Sequence, residues 1–239
     1  MMNTTIKNKK ILITAGPTRE AIDPVRYISN HSTGKMGYAL AEAFLKKGAK
    51  VFLVSGPVSL RISHPNLVLV SVNSAMEMYL ACCRYFEEVD VAVFAAAVAD
   101  YRPAKIAVQK IKKENDSFSI AMVKNVDIAY EFGQVKKPNQ LSIGFALETH
   151  DELLHAKRKL DKKHLDMVVL NSMNDDQACF GYDSNKIQII KQDFTRKSFP
   201  LKHKSEVAED ILHELDEVFR LKQYAIERLE ADLYESSNF

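Results

Sequence analysis

The sequence predicts an α/β protein: a Rossmann-like three-layer fold with a mainly parallel central sheet and irregular excursions in the second half. Three observations carry this expectation. The runs KILITA (Lys10–Ala15), Val51–Ser55 and VAVFAA (Val91–Ala96) are unbroken apolar segments, the pattern of strands covered on both faces. Segments of helical periodicity lie between them. Gly16-Pro17 and Gly56-Pro57 end the first two runs, placing turns at the strands' carboxyl ends, where open parallel sheets bind ligands.

Taken in order, Lys10–Ala15 is the first strand, and a long polar loop from Pro17 to Thr33 follows it. A helix runs from about Gly34 to Lys47 with Ala39, Leu40, Ala43 and Phe44 on one face, and Gly48 stands at its stop. Val51–Ser55 and Asn66–Val72 are strands. Ser74, with Glu77 three residues on, opens a helix reaching about Glu88 through a capping box. Val91–Ala96 is the fourth strand, and the stretch Tyr101–Asp116 is polar and lysine-rich. Phe118–Val123 is a strand, Asp127–Phe132 a short helix, Leu141–Phe145 a strand, Asp151–Lys163 an amphipathic helix and Met167–Asn171 a strand. Lys186–Lys191 and Thr195–Pro200 form a hairpin around Gln192-Asp193, and a last helix from Lys204 passes Leu221 towards Tyr234. No linker divides the chain, so residues 1–222 are expected to form a single domain and 223–239 a helical extension or tail.

The 239 residues are 46% hydrophobic and 27% charged, with 33 basic and 31 acidic side chains for a net charge of +2. That balance calls for neither a nucleic-acid nor a membrane partner. The absence of a long apolar run and of a signal-peptide pattern in MMNTTIKNKK leads us to expect a soluble, cytoplasmic protein. The three cysteines, Cys82, Cys83 and Cys179, have no CxxC spacing, and the seven histidines no ligand spacing. Reduced thiols filling the core, and no structural zinc, are the expectation.

Motifs for nucleotide chemistry are weak one by one. Gly16 lets backbone approach a phosphate, or simply makes a turn. GxGxxG is absent, since the segment reads GPTREA, and a Walker A loop is absent because Ser29 and Met36 stand where that motif needs Gly and Ser/Thr. Tyr101 and Lys105 match the YxxxK pair of NAD(P)-dependent oxidoreductases, but Pro103 between them opposes the helix that pair requires. The cluster Lys110-Ile111-Lys112-Lys113 suits a solvated loop, or a flap that brings a cation to a polyphosphate. Lys159 and Lys163 sit near a helix C-terminus, where cations are favoured without any ligand.

Read together, these segments carry more. ITAGPTREAIDPVRYISNHSTGKMGYALAEA (Ile13–Ala43), VSGPVSL (Val54–Leu60), AAAVADYRP (Ala95–Pro103), KIKK, MVKNVDI (Met122–Ile128) and GFALET (Gly144–Thr149) occur in one order. The chain thereby resembles the phosphopantothenate–cysteine ligase family of the bacterial CTP-using kind, over about Lys10 to Leu215 and without the fused flavin decarboxylase domain. The resemblance implies coenzyme A biosynthesis: 4′-phosphopantothenate attacks CTP, used with Mg²⁺, to give an acyl-cytidylate and pyrophosphate. Cysteine then displaces CMP. It assigns Asn30 to holding the acyl-cytidylate, Arg26 to substrate anions and Lys110 to the triphosphate. Asp100, the backbone at Ala96 and Ala97, Val126, Asp127, Ile128, Ala129, Phe145, Lys159 and Lys163 match further CTP contacts, with Gly16 at the start of the loop. No residue is assigned to the metal. Val126 departs from the proline many members carry after MVKN. The resemblance further implies a homodimer and association with a separate phosphopantothenoylcysteine decarboxylase. Two other readings remain open, an NAD(P)-dependent oxidoreductase and a non-catalytic nucleotide-binding subunit.

Overall fold

The computed structural model describes residues 5–112, 117–148, 152–172 and 181–236. Of the positions named above, Lys113, Asp116, Thr149, Asp151 and Cys179 lie outside them, as do residues 237–239. The strands are β1 (Lys10–Ala15), β2 (Arg19–Ala21), β3 (Tyr27–Ser29), β4 (Lys50–Ser55), β5 (Leu67–Ser71), β6 (Val91–Phe94), β7 (Tyr101–Pro103), β8 (Met122–Lys124), β9 (Leu141–Glu148), β10 (Met167–Ser172), β11 (Ser184–Asn185), β12 (Ile187–Lys191), β13 (Arg196–Ser198) and β14 (Lys202–His203). The helices are α1 (Lys35–Lys46), α2 (Ala75–Cys83), α3 (Ile128–Val135), α4 (Glu152–Lys162) and α5 (Lys204–Ser236).

Eight strands form the central sheet in the order β13-β12-β10-β9-β6-β1-β4-β5. From β10 to β5 every pairing is parallel; β12 and β13 add an antiparallel edge. Alternation along β1 shows why both faces are apolar. Ile11 and Ile13 pack with Leu40 and Phe44 of α1 and Ile211 and Leu215 of α5. Leu12 points the other way, into a second core with Met78 of α2, Phe132 of α3 and Leu160 of α4. The result is a three-layer α/β/α fold, as the continuous apolar runs require.

Several elements differ from the sequence expectation. The loop Pro17–Thr33 contains a hairpin, β2–β3, pinned to the body by Arg19 N–H on the Asn73 carbonyl (2.8 Å) and by buried Glu20, whose Oε1 accepts from Ala75 N at the start of α2 (2.9 Å). The capping box at Ser74 and Glu77 forms, but α2 ends at Cys83 instead of Glu88. Tightened turns and a 3₁₀ segment at Phe86–Glu88 follow, and buried Phe86 meets Phe132 at 4.3 Å between ring centroids. The strand expected over Phe118–Val123 is confined to β8, which pairs with β7 outside the main sheet. Cys82 is buried, as expected of a core thiol, whereas Cys83 is exposed. Helix α5 runs unbroken from Lys204 to Ser236, passing Leu221 as the sequence leads one to expect.

Phe44 is fully buried between α1 and the sheet. Phe44→Ala should destabilise the fold by about 3–5 kcal/mol, read as a lower urea midpoint with an unchanged slope.

Candidate active site

The order of strands reverses at β1: β4 follows on one side, and β6 lies on the other. Loops leaving β1 and β6 therefore part, opening a crevice at the carboxyl edge of the sheet. A cleft of about 430 Å³ occupies this crevice.

Its floor is the segment after β6, whose main-chain N–H groups are held by a carbonyl and two threonine hydroxyls. Ala96 N–H reaches Thr14 Oγ1 (3.3 Å), Ala97 N–H donates to the Gly16 carbonyl (2.9 Å) and Ala99 N–H to Thr18 Oγ1 (3.0 Å). The Ala97 carbonyl accepts in turn from Asn30 Nδ2 at 2.9 Å. This bond fixes which end of the Asn30 carboxamide faces the protein, and its oxygen is left as an acceptor at the cleft. Asn125 closes the segment from the other side, donating Nδ2 to the Ala99 carbonyl (2.7 Å) and N–H to that of Asp100 (2.8 Å).

The second wall comes from α3 and α4. Asp127 caps α3, accepting from Tyr130 N–H (3.2 Å), so residues Val126–Ala129 present the first turn of a helix to the cleft. Lys163 pairs with Asp127 Oδ1 at 2.8 Å, and Lys159 donates to the Phe145 carbonyl at 3.3 Å. Asn30, Ala96, Ala97, Asp100, Val126, Asp127, Ile128, Ala129, Phe145, Lys159 and Lys163 thus share one cleft.

Three residues named from the sequence do not line it. Gly16 is buried at φ +75°, where an added Cβ would stand 3.0 Å from Val58 Cγ1 and 3.2 Å from the Gly56 carbonyl; close backbone packing accounts for this glycine. Arg26 is committed to the buried carboxylate of Asp23, through Nε at 3.0 Å and through Nη2, and also donates Nη2 to the Ile111 carbonyl (3.0 Å). Lys110 is exposed on the segment leading from β7. That segment is fastened by Ala107 N–H on the Ile22 carbonyl (3.0 Å) and Ile111 N–H on Asp23 Oδ2 (3.1 Å). Arg26 and Asp23 therefore anchor the residue next to Lys110.

The cleft also holds residues that pattern reading passed over: Thr14, Asn125, Asn171, Asn185 and Lys204. Asn171 had a usable signal, standing at the carboxyl end of a strand; Asn185 and Lys204 reach the site through tertiary folding alone. Tyr101 lies in a strand, so the YxxxK spacing does not put it and Lys105 on one helix face.

A crevice at the switch point of a parallel sheet, with an oriented carboxamide on its floor and lysines on one wall, defines a nucleotide-binding α/β domain. The chain belongs to the DNA/pantothenate metabolism flavoprotein C-terminal domain family, which it matches over residues 6–219. It is 47% identical over 212 residues to the coenzyme A biosynthesis bifunctional protein CoaBC of Vibrio vulnificus, covering 88% of this chain and 52% of that protein. It is 48% identical over 210 residues to a cysteine/cysteine sulfinic acid decarboxylase of an unknown prokaryotic organism, covering 88% of this chain and 58% of that protein. The chain therefore spans little more than half of these relatives. A crystal structure of the C-terminal domain of CoaBC superposes with a TM-score of 0.76 at 39% identity, covering 90% of this chain and 97% of that one. Among the described residues no helix is long and apolar enough to cross a membrane.

The hydrogen bonds from Arg26, ahead of the backbone donors at Val25, Arg26 and Ile111, hold the Asp23 carboxyl well below its ordinary value of 3.8. A depressed carboxylate stabilises the fold above its unfolded-state value and loses that contribution as pH falls towards its folded one. Its contribution to stability should therefore decline below about pH 4, while the Asp23–Arg26 pair itself stays ionised well below that. Asp23→Asn should speed amide hydrogen exchange at Ile111 at neutral pH and flatten the acid dependence of stability. Unchanged exchange would show that the segment is held by other contacts.

Proposed function

We propose that this chain is a phosphopantothenate–cysteine ligase of coenzyme A biosynthesis that activates its acid with CTP. The observation that carries the reading is the arrangement of Asn30, oriented by the Ala97 carbonyl, in the same cleft as Lys159 and Lys163. The match to the C-terminal domain of CoaBC over 97% of its length supports it.

In the first step a carboxylate oxygen of 4′-phosphopantothenate bonds to the α-phosphorus of CTP, and the bond to the β-phosphate breaks to release pyrophosphate. Positioning and cationic stabilisation of the phosphates supply the catalysis. The nucleotide lies against the first turn of α3 at Val126–Ala129 and against Phe145, with Asp100, Ala96 and Ala97 holding it from the floor. Lys163 exchanges Asp127 for phosphate oxygens, and Lys110 is brought over the triphosphate by the segment anchored at Asp23. Gly16 acts indirectly here, setting the path of the loop that leads to Asn30. Mg²⁺ bound with CTP would neutralise phosphate charge, and the cleft carboxylates that would hold it are Asp100 and, once Lys163 has turned to the phosphates, Asp127. In the second step the cysteine nitrogen bonds to the acyl carbon, loses a proton, and CMP departs. The Asn30 carboxamide holds the acyl-cytidylate in line for that attack, while Arg26, held by Asp23, keeps the Lys110 segment in place.

Asn30→Ala should still release pyrophosphate from CTP and phosphopantothenate while product formation fails and acyl-cytidylate accumulates. Lys110→Ala should slow pyrophosphate release by roughly 10²–10³-fold. Equal loss of both steps in Asn30→Ala would contradict its role. A wild-type protein that turns over neither CTP nor ATP, or instead decarboxylates cysteine, would contradict the ligase itself.

We also infer that the protein works as a homodimer, and that a flavin decarboxylase consuming the product is its functional partner. Tyr27, Ile106, Val108 and Phe118 are exposed apolar side chains on the hairpin and the segments beside Arg26 and Lys110, a surface suited to burial against a second copy. Val108→Asp should shift sedimentation towards the monomer; an unchanged dimer would place the interface elsewhere.

A further inference from the structure

Asn185 is 3% exposed and lines the cleft. Its Nδ2 donates to Asn171 Oδ1 at 3.1 Å, but among the described residues its Oδ1 is the one buried side-chain atom with no hydrogen-bond partner. A buried carboxamide oxygen left without a donor has lost its water and gained nothing in return. Such an orphan at a ligand cleft marks where a ligand's N–H or O–H group fits.

The surroundings of Asn185 favour an anion on the same molecule. Helix α1 starts at Gly34, in the left-handed region at φ 78°, with no side-chain cap, and its first residues line the cleft. Uncapped N–H groups at the start of a twelve-residue helix attract negative charge. The segment carrying Asn185 is stitched to that helix start, since Lys35 reaches both Asp183 (2.7 Å) and the Gly181 carbonyl (3.2 Å). It is stitched equally to the start of α5, where Lys204 N–H donates to the Asp183 carbonyl (2.8 Å) and its buried ammonium to that of Tyr182. These groups belong to the face of the sheet covered by α1 and α5, whereas Lys159 and Lys163, proposed for the nucleotide, lie in and just after α4 on the other face.

We propose that Asn185, beside Asn171 and the first turn of α1, forms the subsite for the non-nucleotide substrate. Its Oδ1 accepts an N–H or O–H of that substrate, and the helix start takes the carboxylate or phosphate of the same molecule. This rests on the ligase reading. Two molecules have the shared chemistry: cysteine, with an ammonium and a carboxylate, and phosphopantothenate, with hydroxyl and amide donors and a phosphate.

The test is Asn185→Ala in the full chain, after wild-type turnover has been established, so that failure of the ligase reading appears first and separately. The KM of one of the two substrates should rise about tenfold or more, with CTP affinity unchanged. If the occupant is phosphopantothenate, pyrophosphate release without cysteine slows at low phosphopantothenate. If it is cysteine, that step is untouched and only the KM for cysteine rises. An equal loss of CTP affinity, or unchanged KM for both substrates, would overturn the proposal. Should the variant not fold, the side-chain amide resonance of Asn185 in wild-type protein reports the same contact. It should shift when phosphopantothenate or cysteine is added in the presence of CMP and stay fixed with CMP alone; no shift with either would overturn the subsite.

Discussion

The reversal of strand order at β1 is the constraint on which the rest of this structure depends. Because β4 and β6 both run parallel to β1 on opposite sides, the chain must leave the carboxyl edge in two directions and cannot fill the gap between them. The floor of the site is built across that gap by hydrogen bonds that each use at least one main-chain group. Thr14 and Gly16 at the end of β1 hold Ala96 and Ala97 after β6, and the Ala97 carbonyl then holds Asn30. A carboxamide oriented by a main-chain oxygen, itself fixed by a parallel sheet, has little freedom to lose when a substrate arrives.

The cations are arranged differently. At rest Lys163 is paired with Asp127, and Arg26 with Asp23, so neither presents an uncompensated charge to solvent. A polyphosphate entering the cleft would compete with a carboxylate for Lys163, whereas the buried Asp23 keeps Arg26 in place as the anchor of the Lys110 segment. The sheet thus supplies rigid acceptors and donors, and ion pairs supply charges that can be redirected. That division suits a reaction in which the protein positions two reagents in succession and contributes no covalent chemistry of its own.

The sequence revealed the sheet well because β1, β4 and β6 are covered on both faces, leaving continuous apolar runs that few other structures explain. The hairpin β2–β3 was hidden because three-residue strands have no periodicity, and what secures them is Glu20 meeting a helix start more than fifty residues away. Helix α2 was overestimated because polar residues after Cys83 continue the pattern while Phe86 turns into the core. At the site, the family resemblance named Asn30, Asp100, Lys159 and Lys163, and folding brings these to one cleft. No local pattern could have named Asn185, whose significance is a missing hydrogen bond that exists only once β10, β11 and α1 have come together.

The central claim is that the acid is activated by transfer of the cytidylyl group inside this cleft. It is tested most directly by running the reaction with 4′-phosphopantothenate labelled with ¹⁸O in its carboxylate and weighing the nucleotide product by mass spectrometry. Attack on the α-phosphorus followed by amine displacement at the acyl carbon leaves one labelled oxygen in CMP at every turnover. Unlabelled CMP with the label in inorganic phosphate, or CTP left intact while product forms, would contradict the account.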